Sequence, residues 1–379
     1  MSIDIITQNI FKFKFALIVN YSTNFLQNDK NDCYKSHLTA GRKNDIMNLF
    51  KIRPTVEKRR YLCMYKIMLF TALLAGGSIA GFSGAKKLFD RTIPRQDTLR
   101  VDINEMADMK KWEEYKKFIV PNREWLTSQN LEHIIIKARD GIELHAEYFP
   151  AENTSNKLVI CNHGYTGCGM RDCASIAVFF HKIGYDCLIV DHRAHGKSGG
   201  DYIGFGILDR FDCSSWIKYI NNRFNNSKQI ILYGVSMGAS TVLMASSLPE
   251  VKNSVKAIIA DCAFTSPYEV FKHILKRDYH LPAFPIMEIN NSMCRKKAGY
   301  GFKDYSTIQA VKNTTIPCLF IHGDKDNFVP TYMTKQNYNA CISEKDIMIV
   351  QNAGHAASYY ENVPAYEEKI ISFIEKYFT

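Results

Sequence analysis

Apolar positions fall into two distinct regimes along the chain. From residue 131 onward, short apolar runs of four to seven residues alternate with stretches in which apolar residues recur at three- and four-residue steps. The first pattern is that of buried strands and the second that of amphipathic helices. Strands are predicted over 131–137, 142–149, 157–161, 185–190, 229–233, 256–260, 316–321 and 346–350. Helices are predicted over 172–183, 209–223, 236–247, 332–341 and 364–377. Arg139-Asp140-Gly141 is a hairpin signal between the first two strands. Two antiparallel strands followed by repeated strand–helix units imply a mostly parallel, twisted sheet with helices on both faces, an α/β architecture. The segment 264–305 carries no strand pattern and interrupts the alternation, as an insertion capping a site would. Upstream, 103–120 is periodic through Met106, Met109, Trp112, Tyr115 and Ile119, and Pro121 is expected to end that helix.

The second regime is a run of 19 uncharged residues, 67–85, between Lys66 and Lys86. As a helix it would span about 28 Å, close to the hydrocarbon thickness of a bilayer. Lys58, Arg59 and Arg60 precede it, the arrangement that keeps an N-terminus in the cytoplasm. The expectation is a single membrane helix within 61–90, with the domain of residues 100–379 outside the cytoplasm. A cleaved signal segment beginning at Met47 or Met64, or a buried helix in a secreted or cytoplasmic protein, are the competing readings. Residues 1–60 are expected to be a poorly ordered basic extension.

Charge sharpens this division. The chain of 379 residues has a net charge of +10, but residues 1–100 hold 17 Lys and Arg against 7 Asp and Glu, whereas the remainder balances at 31 against 31. The excess belongs to the N-terminal segment, so the body is not expected to bind nucleic acid. The 11 cysteines form no zinc-type spacing. Cys161, Cys187 and Cys318 fall inside strand runs, where thiols pack as small hydrophobes. Cys168 and Cys173 are the one pair near enough in sequence to be weighed as a disulfide, and the overall usage favours reducing conditions.

Candidate chemistry gathers at the ends of predicted strands. Gly234-Val235-Ser236-Met237-Gly238 follows the strand run QIILY and precedes a helix, the context of a nucleophile elbow. Larger side chains two positions either side of the serine would clash as strand and helix converge. A serine hydroxyl needs a base, and the base an orienting acid. His355, after the last strand, is the base candidate, and the acid is sought in His322-Gly323-Asp324-Lys325-Asp326. Asp326 is preferred, while Asp324 sits close enough to the strand to cap the turn. Donors for a developing oxyanion are expected from the backbone N–H of Met237 and from the loop 162–167, where Tyr165 is the leading candidate. The loop Asp191–Ser198 is rich in titratable groups. It lacks a phosphate-loop pattern and a carboxylate cluster, so it is expected to hold neighbouring loops together. No metal or cofactor is expected.

His163-Gly164, the stretch DHRAHGKSGG at 191–200, GVSMG at 234–238, HGDKDNFVP at 322–330 and Gly354-His355 together resemble the α/β-hydrolase superfamily. The likeness is to bacterial serine hydrolases related to prolyl-oligopeptidase-type and serine-aminopeptidase-type domains, and it extends over about residues 120–379. Ala194 departs from the glycine many such proteins carry there. The resemblance implies an α/β-hydrolase fold with a helical cap and a triad of Ser236, Asp326 and His355. It also implies one N-terminal membrane segment. The expected activity is cleavage of a small acyl substrate: an ester, or else an amide or thioester. A peptidase, and a membrane-tethered binding module without catalysis, are the rivals. Phe264, Leu281, Phe284, Phe302 and Phe328 are candidates to line an apolar acyl pocket.

Overall fold

The computed structural model describes residues 82–96 and 109–377. The predicted anchor, residues 67–85, lies outside that range up to residue 81, as does the basic extension 1–60. Among the described residues no helix is long and apolar enough to cross a membrane.

Eight strands form one sheet: β1 Glu132–Lys137, β2 Glu143–Phe149, β3 Lys157–Asn162, β4 Asp186–Val190, β5 Gln229–Val235, β6 Val255–Asp261, β7 Cys318–Gly323 and β8 Lys345–Val350. Their order across the sheet is β1-β2-β4-β3-β5-β6-β7-β8. β1, β2 and β4 pair antiparallel, and the remaining pairs are parallel. All eight predicted strands are present within two residues at either end. They were legible because β3 to β7 are covered on both faces and therefore consist of continuous apolar residues. The chain runs from β3 to β4 on one side and returns to β5 on the other. The carboxyl ends of β3 and β5 thus flank a topological switch point, where open sheets of this kind place their ligands.

Helices cover both faces. On one, Phe179 and Phe180 of α4 (Ala174–Lys182) and Phe373 of α13 (Val363–Glu375) close over the sheet. On the other, Trp216 of α5 (Asp209–Arg223) and Leu243 of α6 (Met237–Ala245) do so. Between them in sequence lie the short helices α3 (Gly169–Asp172), α7 (Pro249–Ser254), α10 (Thr307–Val311) and α12 (Ser358–Glu361), with α11 (Thr331–Ala340) against β7. The predicted insertion is a two-helix cap, α8 (Pro267–Tyr279) and α9 (Ile286–Ala298), without strands.

Two expectations need correction, and one alternative is settled. Helix α2, Met109–Thr127, continues through Pro121 instead of ending there. Pro121 and Lys117, the residue whose carbonyl loses its partner, are both exposed, so water takes the place of the missing bond while Leu126 is buried one turn on. The disulfide weighed between Cys168 and Cys173 is absent, in line with the cysteine usage: both are free, as are all nine cysteines of the described residues. Finally, residues 82–92, the start of which was assigned to the membrane segment, form a helix, α1, that packs on the cap. Its Ala85 and Phe89, and Ile93 just beyond it, are buried in a third apolar cluster with Phe205, Phe264, Phe271 and Phe302. Asn290 of α9 donates to the carbonyl of Ala85 at 3.0 Å, and a short bridge joins Pro94 to Tyr202. Any bilayer segment must therefore end before Ala85.

Candidate active site

The turn between β5 and α6 explains why this position takes a serine between glycines. Ser236 has φ 55° and ψ −114°, outside the ordinary regions for a residue with a side chain. A Cβ on Gly234 would lie 2.4 Å from the backbone of Gly238, and one on Gly238 would lie 2.1 Å from the carbonyl oxygen of Asn162. The strand, the helix and the neighbouring strand β3 are in backbone contact, and the strained turn lifts the Ser236 side chain at the carboxyl edge of the sheet. Asp261 at the end of β6 accepts from the Ser236 N–H at 2.8 Å and holds the turn from the other side.

Ser236 Oγ lies 2.8 Å from Nε2 of His355, which is carried by the loop after β8. His355 Nδ1 lies 2.7 Å from Oδ2 of Asp326, in the loop after β7. Asp326 has only acceptors here, so the imidazole proton belongs on Nδ1 and Nε2 is left to accept from the serine. The other carboxylate oxygen, Oδ1, accepts from the N–H groups of Phe328 and Val329, both at 2.9 Å. Burial raises the pKa of this carboxyl, but His355 and His322 beside it outweigh burial and hold it well below the ordinary carboxylate range. Asp324, the competing candidate, is directed elsewhere. Its carboxylate accepts from the Asn352 N–H at 2.6 Å and ties the two loops together.

His322, which sequence reasoning passed over, is fully buried and stands 3.0 Å through Nε2 from the same Oδ2 of Asp326. Its Nδ1 is 2.7 Å from Thr334 Oγ1. The signal was present in the spacing, since His322 and Asp326 are four residues apart at the end of a strand. Only the turn at Gly323 brings them face to face.

Met237 follows the serine, and Tyr165 follows Gly164 in the loop after β3. Among the described residues no group of the chain accepts from the backbone N–H of either. The loop from β3 approaches so closely that a Cβ on Gly164 would lie 3.6 Å from that of Ser236. This loop is fixed from behind by the polar stretch 191–198. The N–H of Thr166 donates to His195 Nε2 at 3.1 Å, and the N–H of His192 donates to His163 Nε2 at 3.0 Å. Gly169 N–H donates to Asp191 Oδ1 at 2.8 Å. Arg193 forks onto Asp212 with two bonds of 2.6 Å and reaches Asp140 at 2.8 Å. Burial, the largest influence, pushes His192 and His195 down to about 4, so both are neutral near pH 7. That stretch therefore has the loop-holding role its composition indicated, and His163 is a hydrogen-bonding residue rather than a second base.

Cys262 also lies beside Asp326 and His355, with potential ligand atoms within 4.8 Å of one another. Burial pushes its thiol well above the usual range, and Asp326 already has neighbours on both oxygens. A protonated thiol and an occupied carboxylate are a poor metal site. The five apolar candidates for an acyl pocket separate. Phe264 and Phe302 are buried in the cap's own core. Phe328 stacks obliquely on His355, with ring centroids 4.9 Å apart. Leu281 and Phe284 are exposed on the outside of the cap.

Comparison with known proteins agrees with this architecture. A family model for the alpha/beta hydrolase fold matches residues 157–285. The uncharacterized protein YqkD of Bacillus subtilis is 28% identical over 241 residues, which are 64% of this chain and 78% of that protein. The uncharacterized membrane protein YNL320W of Saccharomyces cerevisiae is 25% identical over 215 residues, 56% of this chain and 68% of its own. Among solved structures, the esterase Pf2001 of Pyrococcus furiosus superposes with a TM-score of 0.55 at 20% identity, covering 66% of this chain and 93% of that one. The chain is a protein of the alpha/beta hydrolase fold. The finer likeness to prolyl-oligopeptidase-type and aminopeptidase-type domains finds no counterpart among these matches.

Proposed function

We propose that this protein is a serine hydrolase that cleaves carboxylic esters through an acyl-enzyme. The observation that carries the reading is the 2.8 Å contact between Ser236 Oγ and a His355 nitrogen whose partner is the buried carboxylate of Asp326. In this mechanism His355 Nε2 takes the Ser236 proton as Oγ attacks the substrate carbonyl carbon. Asp326 stabilises the imidazolium without itself being protonated. The oxygen that gains charge is met by the N–H groups of Met237 and Tyr165, whose freedom from other partners supports that role. His355 then returns the proton to the leaving alkoxide, the C–O bond breaks, and the acyl group remains on Ser236. Water, deprotonated by His355, attacks the acyl carbon and restores the serine. The chemistry of these residues requires no cofactor. The name of the Pyrococcus furiosus neighbour, an esterase, favours an ester over an amide.

A fluorophosphonate probe tests the nucleophile. Labelling of the wild type and none of Ser236→Ala is expected. Failure of a well-folded wild type to label at pH 8 would favour the binding-module reading. A panel of p-nitrophenyl esters of rising chain length set against aminoacyl amides separates esterase from peptidase, and faster turnover of the esters is expected. Attachment to a membrane through the uncharged run that starts at Ile67 is part of the same proposal. It rests on the sequence, and the name of the yeast relative is consistent with it. Retention in the membrane fraction after alkaline carbonate extraction is the expected result, and release into the soluble fraction would refute it.

A further inference from the structure

Nine large apolar side chains of the described residues are exposed, and four of them belong to one region. Tyr279, Leu281 and Phe284 form the tip between α8 and α9, with exposures of 45%, 42% and 76%, and Phe82 at the start of α1 is 45% exposed. Two contacts show how these elements meet. Ala85 accepts from Asn290, and one turn further along α1, about two turns further along α9, the Lys297 ammonium sits 5.1 Å from the Phe89 ring. Helices α1 and α9 therefore run in the same direction, and one turn back from Ala85 places Phe82 toward the start of α9, the end that Phe284 precedes. An apolar tip of this kind is costly in water unless something covers it.

The surroundings of the tip are basic. The segment 264–305 has seven Lys and Arg against four Asp and Glu. Three of those acids, Glu269, Asp278 and Glu288, are paired with Lys272, Arg277 and Lys303, and the fourth, Asp304, with Arg295. Lys276, in the last turn of α8, and Lys87 on α1 are exposed and have no ion pair among the described residues. A groove of about 490 Å³ beside Leu281 is walled by Lys272, Lys276 and His280 over an apolar floor of Pro282 and Ala283. The sequence before Phe82 is uncharged back to Ile67, with Lys58, Arg59, Arg60 and Lys66 beyond it. An apolar wedge, a rim of unpaired lysines and an adjoining uncharged run are the combination that binds the surface of an anionic bilayer: side chains enter the acyl boundary while ammonium groups meet lipid phosphates.

We propose that the α8–α9 tip of the cap, together with Phe82, seats on the surface of an anionic lipid bilayer. The consequence for catalysis rests on the hydrolase reading above. His273 and Arg277 of α8 both hold the carbonyl of Asn327, and the next residue, Phe328, lies against His355. Helix α8 thus links the tip to the loop beside His355, and with the cap seated on lipid the substrate class would be an ester that partitions into the bilayer.

The test uses the full chain and does not depend on turnover. Phe284→Trp adds one indole to the three tryptophans of the chain. On vesicles of brominated phosphatidylcholine containing about one third phosphatidylglycerol, the added emission is expected to fall at least about two-fold relative to unbrominated vesicles. Lys87→Glu/Lys276→Glu should weaken that quenching at least about three-fold, and pure phosphatidylcholine should do the same. Added emission that brominated lipid leaves unchanged would overturn the proposal, as would quenching indifferent to both lipid charge and the lysines. A dimer in sedimentation that dissociates in Leu281→Ser/Phe284→Ser would assign the tip to a second copy and also overturn it. If no ester is cleaved but quenching occurs, the surface stands and the hydrolase reading fails.

Discussion

His322 and His355 approach the same carboxylate oxygen of Asp326, at 3.0 and 2.7 Å. The acid is thereby held from both sides, with two backbone N–H groups on its other oxygen. His322 touches neither the serine nor any substrate position and acts as a positioning residue. His322→Phe removes a charge-assisted bond worth about 1.5–3 kcal/mol. The expected result is a fall of about 10- to 100-fold in kcat with KM little changed, measured on a soluble p-nitrophenyl ester. His322→Gln, which can still donate to Asp326, should recover most of the loss. Equal losses in both variants would show that His322 matters only for packing.

The two aspartates of this loop should behave very differently. Asp326→Asn leaves the geometry but offers His355 an amide in place of a carboxylate, and a loss of about 10³- to 10⁴-fold in kcat is expected. Asp324→Asn retains an acceptor for the Asn352 N–H and should stay within about threefold of wild type. Comparable losses in the two variants would contradict the assignment.

The loop carrying Tyr165 depends on neutral histidines, and this predicts a pH dependence of stability. His195 accepts from Thr166 through Nε2 and faces the Arg193 carbonyl with Nδ1, at 3.1 and 2.9 Å. A second proton on Nε2 would oppose the Thr166 N–H. Burial, ahead of every other influence, lowers His195 to about 4, below the 6.5 expected of the unfolded chain. The unfolded state therefore binds the extra proton first. The stabilisation is complete above pH 6.5 and is lost as pH falls through 4, amounting to about 3 kcal/mol for this one group. Thermal midpoints measured between pH 4 and 7.5 should decline over that window. His195→Gln should flatten the slope by about 1.4 kcal/mol per pH unit. An unchanged slope would show that His195 does not carry the effect.

Gly238 is required by space rather than by flexibility. An added methyl would sit 2.1 Å from the Asn162 carbonyl and 2.6 Å from that of His163, both main-chain atoms that cannot yield cheaply. Gly238→Ala should cost more than about 3 kcal/mol and displace the loop bearing Tyr165. Gly141, with nothing within 4 Å of such a methyl but φ +85°, should lose only about 1 kcal/mol on the same change. Urea unfolding of the two variants distinguishes crowding from backbone strain, and a reversed order would refute this account.

The eight strands, the strandless cap insertion and the elbow at Ser236 were legible along the sequence because each is specified locally. Strands covered on both faces are continuous apolar runs, and Gly234 and Gly238 flag a backbone contact two residues from the serine. The tertiary structure alone decided the relations that join distant residues. Asp326 rather than Asp324 faces His355 because Asp324 turns toward Asn352, and His322 enters the site only through the fold of its loop. Pro121 could continue a helix because the carbonyl it frees faces water. Leu281 and Phe284, apolar in sequence and therefore expected inside, point outward because the cap fills its own core with Phe264, Phe271 and Phe302. Hydrophobicity along a chain tells which residues seek cover, and only the packed structure tells which of them have found it.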